Sequence, residues 1–146
     1  MALERNNADA QFLKGRVLIQ MNRPDEAAEP FLRAAGIDPS KAIHFTAVGL
    51  AYNQLGQYDI AIAAFTRSLA IQPDNPNVLN QLGIAYVGVS EDLLAFQAFK
   101  KSIIQSIINQ DKKNAARALG LVKSMNLVDQ ISSEELQAIE DKIASI

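Results

Sequence analysis

Three residue types return at a constant interval along this chain of 146 residues. A glycine, an alanine and a phenylalanine each occur in three copies with one common spacing. These positions are Gly15, Gly49, Gly83, Ala27, Ala61, Ala95, Phe31, Phe65 and Phe99. Self-similarity at a fixed period is the signature of a repeat architecture. We therefore predict stacked helical hairpins, because one hairpin of about 34 residues cannot bury enough apolar surface alone.

The middle copy, from Phe45 to Pro73, carries the fullest version of the pattern. Its bulky, small and aromatic residues are Phe45, Val48, Gly49, Tyr52, Ala61, Phe65 and Pro73. With a period of about 34 residues, this order resembles the tetratricopeptide repeat (TPR) family, and the resemblance covers most of the chain. It implies an all-α fold, an α-solenoid of antiparallel helix pairs wound as a right-handed superhelix.

The resemblance also suggests how the chain is organised. We expect residues 1–146 to form a single TPR domain with about eight helices. Three repeats are predicted at about 8–41, 42–75 and 76–109, and a degenerate, capping helix pair follows at about 110–146.

The third copy departs from the pattern at its end. The position that corresponds to Pro73 is occupied by Ile107, so nothing stops the helix that contains Phe99. We predict that this helix is one to two turns longer than its counterparts, and that the following helices cover its isoleucines. The turn before it offers Ser90 as a candidate N-cap.

The two ends of the chain are expected to present polar helix faces that are exposed to solvent. Gln11 and Lys14 stand where the second copy has Phe45 and Val48, which would suit a face that no further repeat covers. The alternative is that another repeat precedes this one in a longer protein. At the other end, Leu119-Gly120 echoes Leu82-Gly83, and Ser132 is a candidate N-cap for a terminal amphipathic helix.

Composition leaves little for catalysis. The chain has no cysteine and a single histidine, His44, so a metal site of histidines and cysteines is excluded. His44 itself is expected to be an ordinary surface or half-buried side chain. The glycines lie at repeat positions and turns, not in a phosphate-binding loop. We predict that the chain is not an enzyme and needs no cofactor.

Charge and hydropathy limit the partners. A formal net charge of −2 does not favour nucleic acid. No apolar stretch approaches the ~20 residues that a membrane-spanning helix needs, and no signal peptide is visible. We expect a cytoplasmic protein without membrane insertion.

The resemblance implies a concave groove, lined by the first helix of each repeat, that holds an extended or helical peptide. The positions that this implies are Phe12, Arg16, Ile19, Thr46, Leu50, Asn53, Asn80, Ile84, Val87, Arg117 and Leu121. Asparagine can both donate to and accept from a peptide backbone, and arginine can hold a carboxylate by two parallel bonds.

Two qualifications come with the groove. Leu50, Ile84 and Leu121 could instead pack between neighbouring first helices. Phe12 and Thr46 stand where a clamp for a C-terminal carboxylate would require polar groups, which argues against that kind of site.

The leading hypothesis is a non-catalytic module that binds a protein or peptide partner. One alternative is a self-associating scaffold, such as a homodimer formed through the isoleucine-rich run from Ile103 to Ile108. Another is a helper region of a larger enzyme or of a secretion or pilus-type complex.

Overall fold

A computed structural model describes the backbone of residues 2–146 and the side chains of residues 7–146. This part of the chain contains eight α-helices and no strand, which confirms the all-α prediction. The helices are α1 (Ala2–Gln20), α2 (Pro24–Ile37), α3 (Ala42–Gln54), α4 (Tyr58–Ile71), α5 (Pro76–Gly88), α6 (Asp92–Ile108), α7 (Lys112–Ser124) and α8 (Ser133–Ala144). A short 3₁₀ turn, Val128–Gln130, precedes α8.

The chain divides into two compact units. The first, Met1–Pro73, contains α1 to α4, and the second, Asp74–Ile146, contains α5 to α8. Helix α1 pairs with α2, α3 with α4, and α5 with α6. Within the first unit α2 also packs against α3, and within the second α6 packs against α7.

Each of the three hairpins is closed by a phenylalanine ring that lies on a glycine of the facing helix. A Cβ atom added to the glycine would lie 2.5 or 2.6 Å from the nearest ring carbon. The pairs are Gly15 with Phe31, Gly49 with Phe65 and Gly83 with Phe99. Since non-bonded carbon atoms do not approach so closely, only glycine allows the ring to occupy this position. All three rings are buried.

Helix α7 does not repeat this contact. A Cβ atom on Gly120 would meet no atom within 4 Å, and the glycine is exposed. Leu119, the residue before it, is buried as Leu82 is. The pair Leu119-Gly120 therefore resembles Leu82-Gly83 in its buried leucine, but its glycine does not contact a phenylalanine ring.

Five helix ends share one turn geometry. The second residue after the helix has a positive φ, and the N–H of the residue that follows it donates to a carbonyl five residues earlier, which is the Schellman arrangement. The left-handed residues are Asn22, Gly56, Ser90, Gln110 and Asn126, with φ between 55° and 70°. The corresponding bonds include Gln57 N–H to the Tyr52 carbonyl at 3.0 Å and Glu91 N–H to the Tyr86 carbonyl at 2.9 Å.

The prediction that Ser90 caps α6 was wrong. Ser90 has a φ of 62° and ends α5, while the N-cap position of α6 is Glu91, whose side chain makes no capping bond. Ser132 does cap α8, because its hydroxyl accepts the N–H of Glu135 at 3.1 Å.

Helix α6 has 17 residues against 14 in α4, so it is longer by slightly less than one turn, not by one to two turns. Its isoleucines are only partly covered. Ile103 is buried, and Ile107 packs with Leu136 and Ile139 of α8 around the same cluster. Ile104 and Ile108 remain 47% and 66% exposed.

The amino-terminal surface of α1 differs from the expected wet face. Gln11 and Lys14 do lie at a polar depression between α1 and α2, together with Arg23 and Glu26. A second side of α1, however, exposes Leu13 and Val17, and Met21 is exposed directly after the helix. This surface therefore includes an apolar stripe as well as polar groups.

The ring contact predicts opposite effects for one substitution at two glycines. We expect Gly49→Ala to lower the free energy of unfolding by about 1–3 kcal/mol, because the methyl group forces the buried Phe65 ring to move. Gly120→Ala should raise it by up to about 1 kcal/mol, since alanine favours the helix and the site is open. Urea unfolding followed by circular dichroism measures both. Equal losses of stability in the two variants would contradict the role given to the ring.

The turn geometry predicts a stabilising change at Ser90. Ser90→Gly should raise the free energy of unfolding by about 0.5–1 kcal/mol, because glycine adopts a positive φ without steric cost. The matched control is Gly56→Ser at the corresponding turn of the preceding repeat, which should be destabilising for the same reason. A less stable Ser90→Gly variant in thermal unfolding would show that the serine side chain contributes more than the turn strain costs.

Candidate functional site

Five of the predicted groove residues lie together in one pocket of the first unit. This pocket has a volume of about 350 Å³ and lies between α1 and α3, with Phe31 of α2 at its base. The predicted residues that line it are Phe12, Arg16, Ile19, Thr46 and Leu50. Sequence reasoning missed Gln20, Ile43, Ala47 and Gln54, which also line it. Its lining is mainly apolar, as is usual for sites that bind an apolar group.

Small residues create this pocket by bringing the helices close together. Ala47 and Ala51 of α3 are buried in one cluster with Ala28, Phe31 and Ala35 of α2. Phe12 and Ile19 of α1 pack against the same cluster. Phe12 and Ile19 of α1 and Ile43 and Leu50 of α3 line the pocket beside this cluster.

The polar groups at the pocket differ in availability. The Thr46 hydroxyl donates to the Ala42 carbonyl at 3.1 Å and lies 2.7 Å from the Ser68 hydroxyl. It is thus already engaged within the hairpin. Arg16 is exposed, and its guanidinium carbon lies 6.0 Å from the centre of the Phe12 ring. Among the residues that the structure describes, no carboxylate forms a salt bridge with Arg16.

His44 packs against Phe12, which lines the pocket. It is buried, and is not the surface or half-buried residue that the sequence suggested. Its side chain is 1% exposed, and its ring centre lies 5.4 Å from that of Phe12. His44 Nδ1 lies 3.0 Å from the carbonyl of Asp38, in the turn between α2 and α3. This contact ties the start of α3 to the end of α2 beneath the aromatic wall.

The turn that His44 contacts is itself held by hydrogen bonds. The Ser40 hydroxyl donates to Asp38 Oδ1 at 2.6 Å, and this bond holds the pKa of the Asp38 carboxyl below its ordinary value. Lys41 extends the arrangement to α1, because its Nζ lies 2.9 Å from Asp9 Oδ1. The turn therefore links α1, α2 and α3.

Asn53, the sixth predicted residue of the first unit, is half-buried on α3 and does not line the pocket. The remaining predicted residues belong to the second unit. There Ile84, Val87 and Leu121 pack against a buried cluster that includes Phe99 and Val122. These three side chains therefore make packing contacts with residues of α6 and α7.

Asn80 and Arg117 differ in solvent exposure. Arg117 is exposed on α7, whereas Asn80 is 1% exposed on α5. Neither the amide nitrogen nor the amide oxygen of Asn80 has a hydrogen-bond partner within the described part of the chain. A peptide on the surface could not reach the Asn80 side chain in this structure.

The described residues show no arrangement suited to a metal ion. Histidine, aspartate and glutamate side chains from residue 7 onward never gather in a group of three that could hold one. Among residues 2–146, each helix is too short or too polar to cross a bilayer.

Comparisons with known proteins agree with the hairpin architecture. A family model described as "TPR repeat" matches residues 49–89, and one described as "Tetratricopeptide repeat" matches residues 2–42. Together the two matches cover more than half of the chain. Curated protein sequences provide no significant match.

Several solved structures share the fold at low sequence identity. The Arabidopsis OM64 TPR domain has a TM-score of 0.74 at 16% identity, over 88% of this chain and 99% of that one. PcrH, in complex with the chaperone binding region of PopD, has a TM-score of 0.75 at 17% identity, over 81% and 90%. The TPR2B domain of yeast Sti1, in a complex with pHsp70, has a TM-score of 0.77 at 15% identity, over 82% and 96%.

The helical hairpins, the glycine–phenylalanine contacts at a constant period and these matches lead to one conclusion. The chain belongs to the tetratricopeptide repeat family.

Proposed function

We propose that this chain is a non-catalytic interaction module that binds a segment of a partner protein at the pocket between α1 and α3. The observation that carries the proposal is the open, mainly apolar pocket formed by Phe12, Ile19, Ile43 and Leu50. Ile43 is 55% exposed there, although water solvates such a side chain poorly. A pocket of this kind favours an apolar side chain of a bound segment.

Polar residues at the rim of the pocket suggest which residue of the bound segment lies next to its apolar side chain. Arg16 is exposed, carries no salt bridge within the described residues and lies at the pocket edge. A guanidinium in this position can bind a carboxylate through two parallel hydrogen bonds. Gln20 and Gln54 add amide groups that can bond to a peptide backbone. The preferred segment therefore has an apolar residue close to an acidic one.

A clamp for a C-terminal carboxylate fits the pocket less well. Phe12 supplies an aromatic wall, and the Thr46 hydroxyl is already bonded to Ala42 and Ser68. A terminal carboxylate would have Arg16 as its one cationic partner among the residues that line the pocket. An internal segment, anchored mainly by apolar burial, makes better use of this lining.

Members of the same fold are known with protein segments bound. PcrH is seen with a region of PopD, and the yeast Sti1 domain is seen with pHsp70. At 15–17% identity these structures support the fold and not a shared ligand. They are consistent with a protein segment as the class of partner, which we infer for this chain from its own pocket.

A charge placed in the pocket tests the proposal. The Leu50→Asp variant should capture the partner at least about tenfold more weakly than the original chain. The apolar side chain of the partner would lose an apolar contact in the pocket, and the new carboxylate would compete with the partner's acidic residue for Arg16. Leu50 is absent from the buried cluster of the first unit, so the fold should survive. Quantitative affinity capture with mass spectrometry, using the whole chain as bait, measures the loss.

The matched control is Leu32→Asp. Leu32 is 46% exposed on α2 and lies outside the pocket, so the same change should leave capture unaltered. Circular dichroism and thermal unfolding confirm that both variants are folded. Equal capture by Leu50→Asp and the original chain would refute the pocket as the binding site. Equal loss in both variants would refute it as well.

A further inference from the structure

Helix α7 carries a glycine that no described side chain covers. In the three hairpins, a phenylalanine of the second helix follows the glycine of the first by 16 residues and lies on it. The corresponding residue for Gly120 is Leu136 of α8, which packs instead with the cluster that contains Ile103 and Leu119. Gly120 therefore lowers the helix propensity of α7 without the ring contact that offsets this cost in the hairpins.

A longer connection allows α8 to pack elsewhere. Three residues join the two helices of each hairpin, whereas the eight residues 125–132 lie between α7 and α8. Within this connection Leu127 is buried with Phe99 and Val122. The helix that the repeat period would place on Gly120 is thus present in the chain, but it packs on another side of α7.

The side of α7 that remains open is basic. Residues three or four apart lie on one side of a helix. The exposed residues on this side, which we call the Gly120 face, are Lys113, Ala116, Arg117, Gly120, Lys123 and Ser124. They include three cations and no carboxylate. Lys123 pairs with Glu140 of α8, whereas Lys113 and Arg117 form no salt bridge among the described residues.

Contacts inside the first unit indicate which residue of a docked helix would face Arg117. Arg117 stands three residues before the glycine of its helix, as Thr46 does on α3. The Thr46 hydroxyl oxygen lies 2.7 Å from that of Ser68, which follows Phe65 by three residues on α4. A helix that packed on α7 as α4 packs on α3 would therefore direct the residue three positions after its aromatic side chain at Arg117.

We propose that the Gly120 face binds a helix of a different protein, with an aromatic side chain on Gly120 and an acidic residue three positions later beside Arg117. Three rings of this chain already occupy the same position on equivalent glycines. A carboxylate at the later position can accept two parallel hydrogen bonds from the guanidinium.

The composition of the chain favours a different protein over a second copy. Residues 100–146 contain no aromatic residue. The rings of Phe31, Phe65 and Phe99 are buried on glycines of their own hairpins, so a second copy would have to open a hairpin to supply one of them. The proposal is independent of the pocket between α1 and α3, which belongs to the other unit.

Binding of synthetic peptides to the whole chain tests the proposal. The probe has the sequence of α4, Tyr58–Ile71, with Ser68→Glu, and carries a fluorescent label for anisotropy titration. We expect saturable binding that weakens at least about tenfold when Phe65→Ala is added to the peptide, because the ring contacts Gly120. The absence of saturable binding, or equal binding of the two peptides, would overturn the proposal.

A change of Gly120 in the protein locates the binding position. Gly120→Leu should weaken binding of the probe by a similar factor, because the new side chain takes the place of the ring. The matched control is Gly36→Leu, at an exposed glycine of α2 whose added Cβ also meets no atom within 4 Å, and it should leave binding unchanged. Equal effects of the two changes would contradict the proposed position.

Gly120→Ala separates docking from folding. The methyl group should stabilise α7, since alanine favours the helix, yet weaken binding of the probe because the ring can no longer lie on the backbone. Thermal unfolding and anisotropy measure the two effects on one variant. Unchanged binding by this variant would show that the ring does not lie on Gly120.

A charge exchange tests the acidic position. Arg117→Glu should weaken binding of the probe, and a peptide with Ser68→Lys in place of Ser68→Glu should restore it. Leu50→Asp should affect neither peptide, which distinguishes this face from the pocket between α1 and α3. Peptides that do not discriminate between the original chain and Arg117→Glu would refute the pairing. A dimer in sedimentation equilibrium that Gly120→Leu abolishes would assign the face to a second copy and overturn the proposal.

Discussion

The fold depends on a phenylalanine ring that lies directly on a glycine of the facing helix. In the hairpins of α1 with α2, α3 with α4 and α5 with α6, this contact leaves no room for even one methyl group. It sets the separation of the two helices and buries an aromatic side chain where they are closest. Dispersion forces fall quickly with distance, so a tight contact of this kind stabilises the hairpin more than a looser one would. The glycine costs some helix propensity, and the buried ring offsets that cost.

The pocket between α1 and α3 is a consequence of how hairpins stack. Alanines on α2 and α3 let the two helices approach, and this approach brings Phe12, Thr46 and Leu50 to one place. His44 fixes the entry of α3 through the Asp38 carbonyl and contacts Phe12 from below. The site therefore belongs to the junction of two repeats. Neither hairpin alone contains the residues that line it.

Sequence reasoning succeeded where one residue type has one physical role. Glycine, alanine and phenylalanine at a constant interval predicted the helix pairs, and Ser132 before two glutamates predicted a cap. It failed where the neighbours decide. Serine is common at N-caps, but Ser90 lies in a Schellman turn, which requires a positive φ at this residue. His44 and Asn80 are polar, yet both are 1% exposed because other residues cover them.

The amino-acid sequence by itself determined the helical class, the period and the residues at which helices meet, because those features rest on local pattern and side-chain size. Only the tertiary structure decided which of the repeat positions are accessible. Leu13 and Val17 are exposed while Ala47 and Ala51, at the same positions of the next hairpin, are buried. Exposure depends on whether a neighbouring helix is present. A pattern within one hairpin carries no information about that neighbour.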